Sequence, residues 1–456
     1  MTAATRPETG GPDIAATPPR LPLTHSRVLR IALPIVISNA TVPILGAVDT
    51  GVIGQLGQAA PIGAVGIGAV VLSAVYWVFG FLRMGTTGLT ANAAGAGDRA
   101  EVAALLTRAL LIGLGAGLAI FALQVPLFWA AFRLSPASAE VEGMAQTYMA
   151  IRVWSAPAAV AIYGLTGWLI AQERTAGVLV LQVGMNIVNI SLDVLFVLGL
   201  GWGVEGVATA TCIAEWSGLA LGFWLCRGAF RLPAWRDWAR VFDRARLVQM
   251  ALVNRDILLR SLMLQAVFII FMFKGAKFGD VQLAANQVLV QFMEITAYAL
   301  DGFAFAAEAL VGQAMGRRDR PGLRRAVALS GLWGGAISLA LALLFALAGA
   351  ELIDLLTTSQ TVRDAARAYL PWMVATPILG ITAWMLDGVF IGATRARDMR
   401  NMMAVSLGIY LVALAVLVPL MGNHGLWAAM LISFVARGIT LALRYPALEA
   451  EAARPV

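Results

Sequence analysis

The sequence predicts an all-α polytopic membrane protein, with about twelve transmembrane helices in two parallel, pseudo-symmetric six-helix lobes around a central cavity. Three observations support this prediction. The 456-residue chain is 60% hydrophobic and only 13% charged. Apolar runs long enough to cross a bilayer recur along the sequence. Two separate tracts of the first half recur in the second half at one constant offset.

Composition argues against several other classes of protein. A soluble domain carries about 25% charged residues, whereas the mean hydropathy of this chain is +0.80. The net charge of +7 comes from arginines between apolar runs, so we interpret them as orientation signals and expect no nucleic-acid partner. The 2 cysteines do not indicate a metal centre or a disulfide framework. The 2 histidines do not indicate histidine-based catalysis. We expect that the protein is not an enzyme.

The apolar runs define the elements in order. Residues 1–27 are rich in Pro, Thr and Ala, and we expect a disordered tail with no removable signal peptide. Each run that follows is predicted to form one transmembrane helix. The runs are 28–54, 61–91, 101–131, 143–171, 176–200, 204–226, 247–277, 283–312, 322–350, 366–392, 399–421 and 425–445.

Arginine-rich connections predict the orientation. The links after the second, sixth, eighth and tenth runs contain arginine, while 55–60 and 200–204 contain none. Because positive charge stays on the cytoplasmic side, we expect a multi-pass protein of the cell inner membrane with both termini in the cytoplasm. The predicted parts are a cytoplasmic tail 1–27, an N-terminal lobe 28–226, a cytoplasmic linker 227–246, a C-terminal lobe 247–445 and a cytoplasmic tail 446–456.

The two predicted lobes repeat one another in sequence. The tract GLTANAAGAGDR, which begins at Gly88, matches ALVGQAMGRRDR, which begins at Ala309. The tract GWLIAQERT from Gly167 matches GVFIGATRA from Gly388. Both pairs are separated by 221 positions, which indicates a duplication. Since six spans separate the copies, both lobes should cross the membrane in the same direction.

The first run contains features that a simple membrane anchor would lack. Pro34 and Pro43 each remove a helical donor and should bend the helix, so we predict hinges there. Asp49 lies in the same run with no nearby Lys or Arg in sequence. A carboxyl group in hydrocarbon costs a few kcal/mol, which favours a functional role.

Four polar residues of the first half are predicted to lie at similar depth. Counting from the external ends of the spans puts Asp49, Asp193 and Thr211 within about seven residues of that face, with Asn189 one turn deeper. Two carboxyl groups in one such pocket would share protons. The pocket therefore predicts an ion-coupling site. The alternative is that each polar side chain only forms a hydrogen bond between helices.

The second half has a different set of charges. The offset places Ile270 and Leu414 opposite Asp49 and Asp193, so these acids have no counterparts there. We interpret the charges of this half as structural or gating, with Arg260 predicted to pair with Asp301 and Arg255 with Glu308. The set is Arg255, Arg260, Glu294, Asp301 and Glu308. Arg83 and Glu215 are further intramembrane charges without an assigned role.

No ATP-binding motif accompanies the spans. Neither Lys274 nor Lys277 lies in a Walker A context. The G-x-G-x-x-G motif at Gly201, Gly203 and Gly206 joins two apolar runs, so we interpret it as a tight turn. An ion gradient is the expected energy source. It supplies about 2.3 kcal/mol per charge per 100 mV, plus about 1.4 kcal/mol per pH unit.

These motifs resemble one known family. LPIVISNATVPILGAVDTGVIGQLG (33–57), NIVNISLDVLFVLGLGWGVEG (186–206) and AANQVLVQFMEITAYALDGFAFAAEALVGQAMG (284–316) are similar to the multidrug and toxic compound extrusion (MATE) family, and most of all to its DinF-like branch. The resemblance implies a two-lobe antiporter that exports cationic or amphipathic compounds in exchange for protons or sodium. It also implies a cation site in the N-terminal lobe, formed by Asp49, Asn189, Asp193 and Thr211.

The function expected from the sequence is therefore a secondary antiporter that works by alternating access. Protons are the expected coupling ion, with Na⁺ at Asp49 and Asp193 as the alternative, and no cofactor is expected. We expect a monomer that contacts the lipid bilayer and small cationic or amphipathic substrates. Two alternatives remain open at this point. One is a flippase for lipid-linked sugars from the same superfamily, and the other is a membrane scaffold without transport activity.

Overall fold

The computed structural model describes residues 22–55, 57–134 and 138–453. These residues form helices and turns, with no β-strand among them. Eleven helical segments in this part of the chain are long and apolar enough to cross a membrane. Gly203–Leu225 is a further long helix, and it contains Glu205 and Glu215. The predicted all-α membrane fold with about twelve spans is confirmed.

The helices follow the predicted apolar runs closely. In the first half they are α1 (His25–Gly54), α2 (Ala59–Trp77), α3 (Phe81–Gly95), α4 (Arg99–Ala122), α5 (Gln124–Leu134), α6 (Ala139–Arg152), α7 (Ala156–Ala171), α8 (Thr175–Asp193) and α9 (Gly203–Leu225). Short helices α10 (Arg227–Phe230) and α11 (Trp238–Val241) follow. The second half contains α12 (Arg244–Ala276), α13 (Asp280–Gly316), α14 (Arg320–Leu356), α15 (Gln360–Gly392), α16 (Ala396–Met421) and α17 (Asn423–Glu451).

Several single spans contain two helices joined without a loop. The 3₁₀ turn Val78–Gly80 joins α2 to α3, and the 3₁₀ turn Val153–Ser155 joins α6 to α7. A π-helical stretch, Val194–Gly199, extends α8. Such interruptions within a helix frequently mark functional sites. We refer below to α1–α9 as the N-terminal lobe and to α12–α17 as the C-terminal lobe.

The helix ends differ from the predicted tails and linker. Helix α1 begins at His25, where Thr24 caps it by accepting a hydrogen bond from the backbone N–H of Arg27. Helix α17 continues to Glu451, so part of the predicted tail 446–456 is helical. The rest of the predicted tails, residues 1–21 and 454–456, lies outside the described residues. Both expected hinge residues, Pro34 and Pro43, lie inside an uninterrupted α1, and their hinge role stays a prediction.

The connection between the lobes is structured and held against α4. It contains α10, α11 and a 3₁₀ turn at Pro233–Arg236. The buried guanidinium of Arg108 donates to the backbone oxygen of Val241 at 2.8 Å and to that of Arg240 at 2.6 Å. Glu101 balances this charge at 2.6 Å from Arg108. The predicted linker 227–246 is therefore packed against the N-terminal lobe rather than extended in solvent.

The backbone repeats the 221-residue offset found in the sequence. Three pairs of residues with positive φ are related by it: Gly97 with Arg318, Glu173 with Thr394, and Gly201 with Gly422. Asp98 and Asp319, another such pair, cap α4 and α14 by accepting from the backbone N–H three residues later. The turns and helix caps of the two lobes are therefore duplicated along with their sequence. Gly201 and Gly203 have positive φ, which confirms the tight turn predicted there.

The lobes contact one another near the face of the bundle at which α1 begins. One core cluster joins Val28, Ile31 and Ala32 of α1 to the C-terminal lobe around Phe303 and Leu310. Asn39 Nδ2 donates to the backbone oxygen of Tyr298 at 3.3 Å, near the middle of both helices. Among the described residues, the hydrogen bonds that join the lobes lie in this half of the bundle. We call this side the closed face.

Candidate ion-coupling site

The structure brings the four predicted coupling residues together in the N-terminal lobe. Asp49 lies near the end of α1, Asn189 and Asp193 lie on the last turns of α8, and Thr211 lies on α9. Asp193 is fully buried and Asn189 is 1% exposed. The carboxyl groups of Asp49 and Asp193 are close enough for each to influence the ionisation of the other. The depth estimate from the sequence therefore identified side chains that are neighbours in space.

The hydrogen bonds in this pocket leave its oxygens unsatisfied. Asn189 Nδ2 donates to Thr211 Oγ1 at 3.1 Å, and Thr211 in turn donates to the backbone oxygen of Val207 at 2.9 Å. No described protein group donates to Asp49 Oδ1, to either carboxylate oxygen of Asp193 or to Asn189 Oδ1. A buried oxygen without a donor costs about 1–3 kcal/mol, and more when it is charged. The pocket is therefore chemically suited to take up protons or a hard cation.

The local fold explains how α8 positions its polar residues. Asn189 and Asp193 are four residues apart and so lie on the same face of α8. Directly after Asp193 the helix widens into the π-helical stretch Val194–Gly199. A π-bulge shifts the register of the side chains that follow it. The carboxyl group of Asp193 thus lies at the point where α-helical geometry ends.

A buried ion pair next to this pocket was missed by the sequence analysis. Arg152 Nη1 lies 2.8 Å from Glu215 and 3.1 Å from Ser155 Oγ. Its charge also acts on both Asp49 and Asp193. Glu215 had been noted as an intramembrane charge, and Arg152 has the same signal because it lies inside the predicted span 143–171. The aspartate pair therefore lies beside a positive charge whose counter-ion is Glu215.

The side-chain oxygens of the pocket limit which ions it can bind. Among the described residues, no three His, Cys, Asp or Glu side chains are grouped as a metal site would need. Two carboxylates and one amide oxygen resemble the oxygen ligands of hard cations and lack the soft ligands typical of transition metals. The pocket fits protons, which two adjacent carboxyl groups can share, and it fits a monovalent cation such as Na⁺.

The charges of the C-terminal lobe pair differently from the prediction. Arg260 bonds to Asp387 rather than to Asp301, and Arg437 lies 3.8 Å from the same carboxylate. The Arg260 side chain is directed towards Asp387 on α15. Depth along a helix says nothing about the direction in which a side chain leaves it. The predicted Arg260–Asp301 ion pair is therefore wrong.

The second predicted pair is also wrong. Arg255 contacts its sequence neighbour Asp256 at 3.0 Å. Glu308 is buried and binds Arg83 of the N-terminal lobe at 3.0 and 3.3 Å. The Arg83 guanidinium also stacks over the Phe305 ring at 3.9 Å. Arg83 and Glu308 therefore form an ion pair between the lobes, and Arg83 was already recognisable in the sequence as an intramembrane charge.

The three acids of α13 follow one another at seven-residue spacing and therefore lie on nearly one face of the helix, but they have different surroundings. Glu294 is exposed, Asp301 is half-buried and Glu308 is 1% exposed. Asp301 interacts over a longer range with Arg83 and Arg260, the two arginines whose closest partners are other acids. Asp387 and Arg437 were not identified from the sequence, although both interrupt predicted apolar runs.

Comparison with known proteins identifies the family. The MatE family model matches residues 34–195 and 257–417, one match in each lobe. DNA damage-inducible protein F of Escherichia coli (strain K12) is 41% identical over 413 residues, which covers 90% of each chain. The probable multidrug resistance protein NorM of Xanthomonas campestris is 27% identical and spans 91% of this chain and 92% of its own.

A solved structure has the same fold. The Vibrio cholerae MATE transporter VcmN in its bent form superposes with a TM-score of 0.83 at 20% identity, covering 94% of this chain and 97% of that one. At this identity the likeness shows the fold alone. The sequence matches carry the family assignment, because the family model covers more than half of the chain. The chain belongs to the MatE family of multi-pass membrane transporters and, within it, to the DinF-like branch.

Proposed function

We propose that the protein is a secondary antiporter of the cell inner membrane that exports cationic or amphipathic compounds in exchange for protons. The observation that carries this proposal is the aspartate pair of the N-terminal lobe. Asp49 and Asp193 are close enough to influence one another's ionisation, and their buried oxygens have no donor among the described residues. Protonation strongly stabilises two carboxyl groups in this arrangement, because they can share one proton.

Protonation would couple to conformation through α1. Asp49 lies on the same helix as Pro34 and Pro43, where a helix bends at little cost because two backbone hydrogen bonds are already lost. Protons that enter from the external side would neutralise the pocket and weaken its hold on a cationic substrate. Helix α1 would then repack. A ligand shifts a two-state equilibrium only by its differential affinity for the two states, and a few kcal/mol is enough.

Sodium is the alternative coupling ion. The four candidate ligands are Asp49, Asp193, the side-chain oxygen of Asn189 and the hydroxyl of Thr211. Thr211 already accepts from Asn189 and donates to Val207, so it contributes less readily to an ion. We favour protons because two adjacent carboxyl groups can share one proton directly, whereas a metal ion needs several oxygen ligands held around it at once.

A lipid-linked sugar flippase is less well supported. A pyrophosphate group would need several arginines free to bind it. In the described part of the chain, the intramembrane arginines Arg83, Arg152 and Arg260 each bind a carboxylate.

We also propose that the closed face is cytoplasmic, since the arginine-rich connections lie there. Labelling single cysteines at Gln58 and Arg236 of intact cells tests this. We expect an impermeant reagent to reach position 58 and not 236.

The coupling proposal is tested by efflux from proteoliposomes. Wild type, Asp49→Asn, Asp193→Asn and the control Glu294→Gln are compared with ethidium as the transported cation, under an imposed pH gradient without sodium. We expect both Asn variants to lose pH-driven efflux while Glu294→Gln keeps it. A second series with a sodium gradient at uniform pH tests the alternative ion. Wild-type rates in both Asn variants, together with failure of Glu294→Gln, would move coupling to the C-terminal lobe.

A further inference from the structure

Two of the hydrogen bonds that join the lobes at the closed face are related by the internal repeat. Asn92 Nδ2 on α3 donates to the backbone oxygen of Gly392 at 3.2 Å. Gln313 Nε2 on α13 donates to the backbone oxygen of Ala171, also at 3.2 Å. Both bonds cross from one lobe to the other. Asn92 and Gln313 are 221 positions apart, and so are Ala171 and Gly392. Each lobe therefore donates one amide hydrogen bond to the other lobe and accepts the matching one from it.

Glycines allow these helices to approach closely, again in matched pairs. A Cβ atom added to Gly95 would overlap the backbone oxygen of Gln313, and one added to Gly316 would overlap that of Asn92. Gly95 and Gly316 are themselves related by the offset. The two amide side chains thus lie where α3 and α13 cross at backbone contact. Because the contact is self-complementary, it has the symmetry of a dimer interface within one chain.

We propose that this amide lock, formed by Asn92, Ala171, Gln313 and Gly392, is an element that helps to hold the closed face shut and must break for that face to open. Each bond ends on the carbonyl at or next to the C-terminus of a helix, where the last carbonyls have no partner within the helix. The lock therefore satisfies groups that would otherwise need water. Opening would expose both carbonyls to water together, which makes the transition cooperative.

The lock differs between its halves in one respect. Arg27 at the start of α1 donates to Gln313 Oε1 at 3.2 Å and also binds Glu173. The residue at the position matching Glu173 is Thr394, which has no charge. Helix α1, which contains the proposed coupling residue Asp49, thus contacts one half of the lock directly. The lock itself is inferred from inter-lobe geometry and holds whether the coupling ion is a proton or sodium.

The test measures the separation of the lobes and not transport. Spin labels at Arg99→Cys and Arg397→Cys, exposed positions of the two lobes at the closed face, report distance by double electron–electron resonance in lipid nanodiscs. Cys212 and Cys226 are replaced by Ser. The lock variants are Asn92→Leu and Gln313→Met, which keep side-chain volume and remove the donor. We expect the lost bond to the carbonyl to raise the ratio of open to closed molecules by about 2- to 10-fold in each variant, with the larger shift in Gln313→Met, which also loses the bond from Arg27.

Glycine substitutions give a second, larger perturbation. Gly95→Ala and Gly316→Ala should each open the face further, while Gly115→Ala and Gly331→Ala, where an added Cβ meets no atom, should leave the distances unchanged. Monodisperse elution and an unchanged melting temperature identify variants that remain folded. Wild-type distances in both folded amide variants would overturn the proposal. So would a response in only one half, or an equal shift in the glycine controls.

Discussion

The coupling pocket and its counterpart in the other lobe occupy matched positions of the internal repeat and have opposite chemistry. The residues that match Asp49, Asn189 and Asp193 are Ile270, Tyr410 and Leu414. All three belong to the apolar core of the C-terminal lobe, where Leu414 is 5% exposed. The single polar group there is satisfied, because the Tyr410 hydroxyl donates to the backbone oxygen of Val267 at 3.2 Å. The C-terminal lobe forms without an acid at this location, which favours the functional role that we propose for the acids of the N-terminal lobe.

The buried charged residues show a similar contrast between the two lobes. In the C-terminal lobe the carboxylate of Asp387 binds Arg260 and lies near Arg437, and the buried Glu308 binds Arg83. In the N-terminal lobe, neither Asp49 nor Asp193 forms an ion pair with a described residue. The nearby Arg152 pairs with Glu215 instead. Charges that are paired stabilise one arrangement, whereas unpaired acids can change their protonation. The following experiments test this division, beginning with the largest expected effect.

Breaking the C-terminal charge cluster should have the largest effect on folding. Asp387→Leu leaves Arg260 and Arg437 buried without their shared partner, and we expect a loss of about 3–5 kcal/mol. The double variant Asp387→Leu with Arg260→Met should recover part of the folded yield, measured by size-exclusion chromatography and thermal melting. Reversing the charges of Arg260 and Asp301 together should give no recovery, because they are not bonded. If that charge reversal did recover the folded yield, the result would support the Arg260–Asp301 pair predicted from the sequence.

Placing an acid at the matched C-terminal position should be the next most damaging change. Leu414→Asp puts a carboxyl group into an apolar cluster with no donor, at a cost of about 2.5–3.5 kcal/mol. Asp193→Leu, the opposite exchange, should leave the melting temperature unchanged or raised while abolishing efflux, because it removes unsatisfied oxygens. Leu414→Met is the matched control and should melt like wild type. Normal folding of Leu414→Asp would contradict the contrast between the lobes.

Where the lobes share their geometry, matched substitutions should act equally. A Cβ atom at Gly167 would overlap the backbone oxygen of Arg83, and one at Gly388 would overlap that of Ala304, two contacts related by the 221-residue offset. Gly167→Ala and Gly388→Ala are each expected to destabilise the protein by about 1–3 kcal/mol. Gly115→Ala, in open space, serves as the control in the same melting experiment. A large difference between the matched variants would mean that the lobes pack differently there.

The smallest expected effects separate a functional hydrogen bond from a structural one. Thr211→Val removes the acceptor of Asn189, and we expect efflux to fall a few-fold with little change in stability. Tyr410→Phe removes the single hydroxyl at the matched location and should lower stability by about 1 kcal/mol with efflux unchanged. Transport rates and melting temperatures of both variants are compared. The opposite pattern, with efflux lost in Tyr410→Phe, would assign function to the C-terminal site.

The sequence was informative wherever the answer depends on distance along one helix. Spans, the duplication and the common depth of Asp49, Asp193 and Thr211 follow from counting residues, since a helix rises about 1.5 Å per residue. Counting failed for Arg260, because its partner Asp387 is 127 residues away on a helix that sequence alone does not identify as a neighbour. Arg152 was overlooked, although its position inside an apolar run was visible in the sequence.

The sequence by itself determined the helices, the membrane class, the duplicated plan and the acids that have no counterpart in the second half. The reason is that hydrocarbon leaves the backbone no alternative to a helix and makes each buried charge costly enough to notice. Tertiary structure alone decided which charges pair, where the lobes meet and which amide faces which carbonyl. Those choices depend on how each helix is rotated and which helices become neighbours, and the packing of small residues such as Gly95 and Gly316 against opposing backbone decides both.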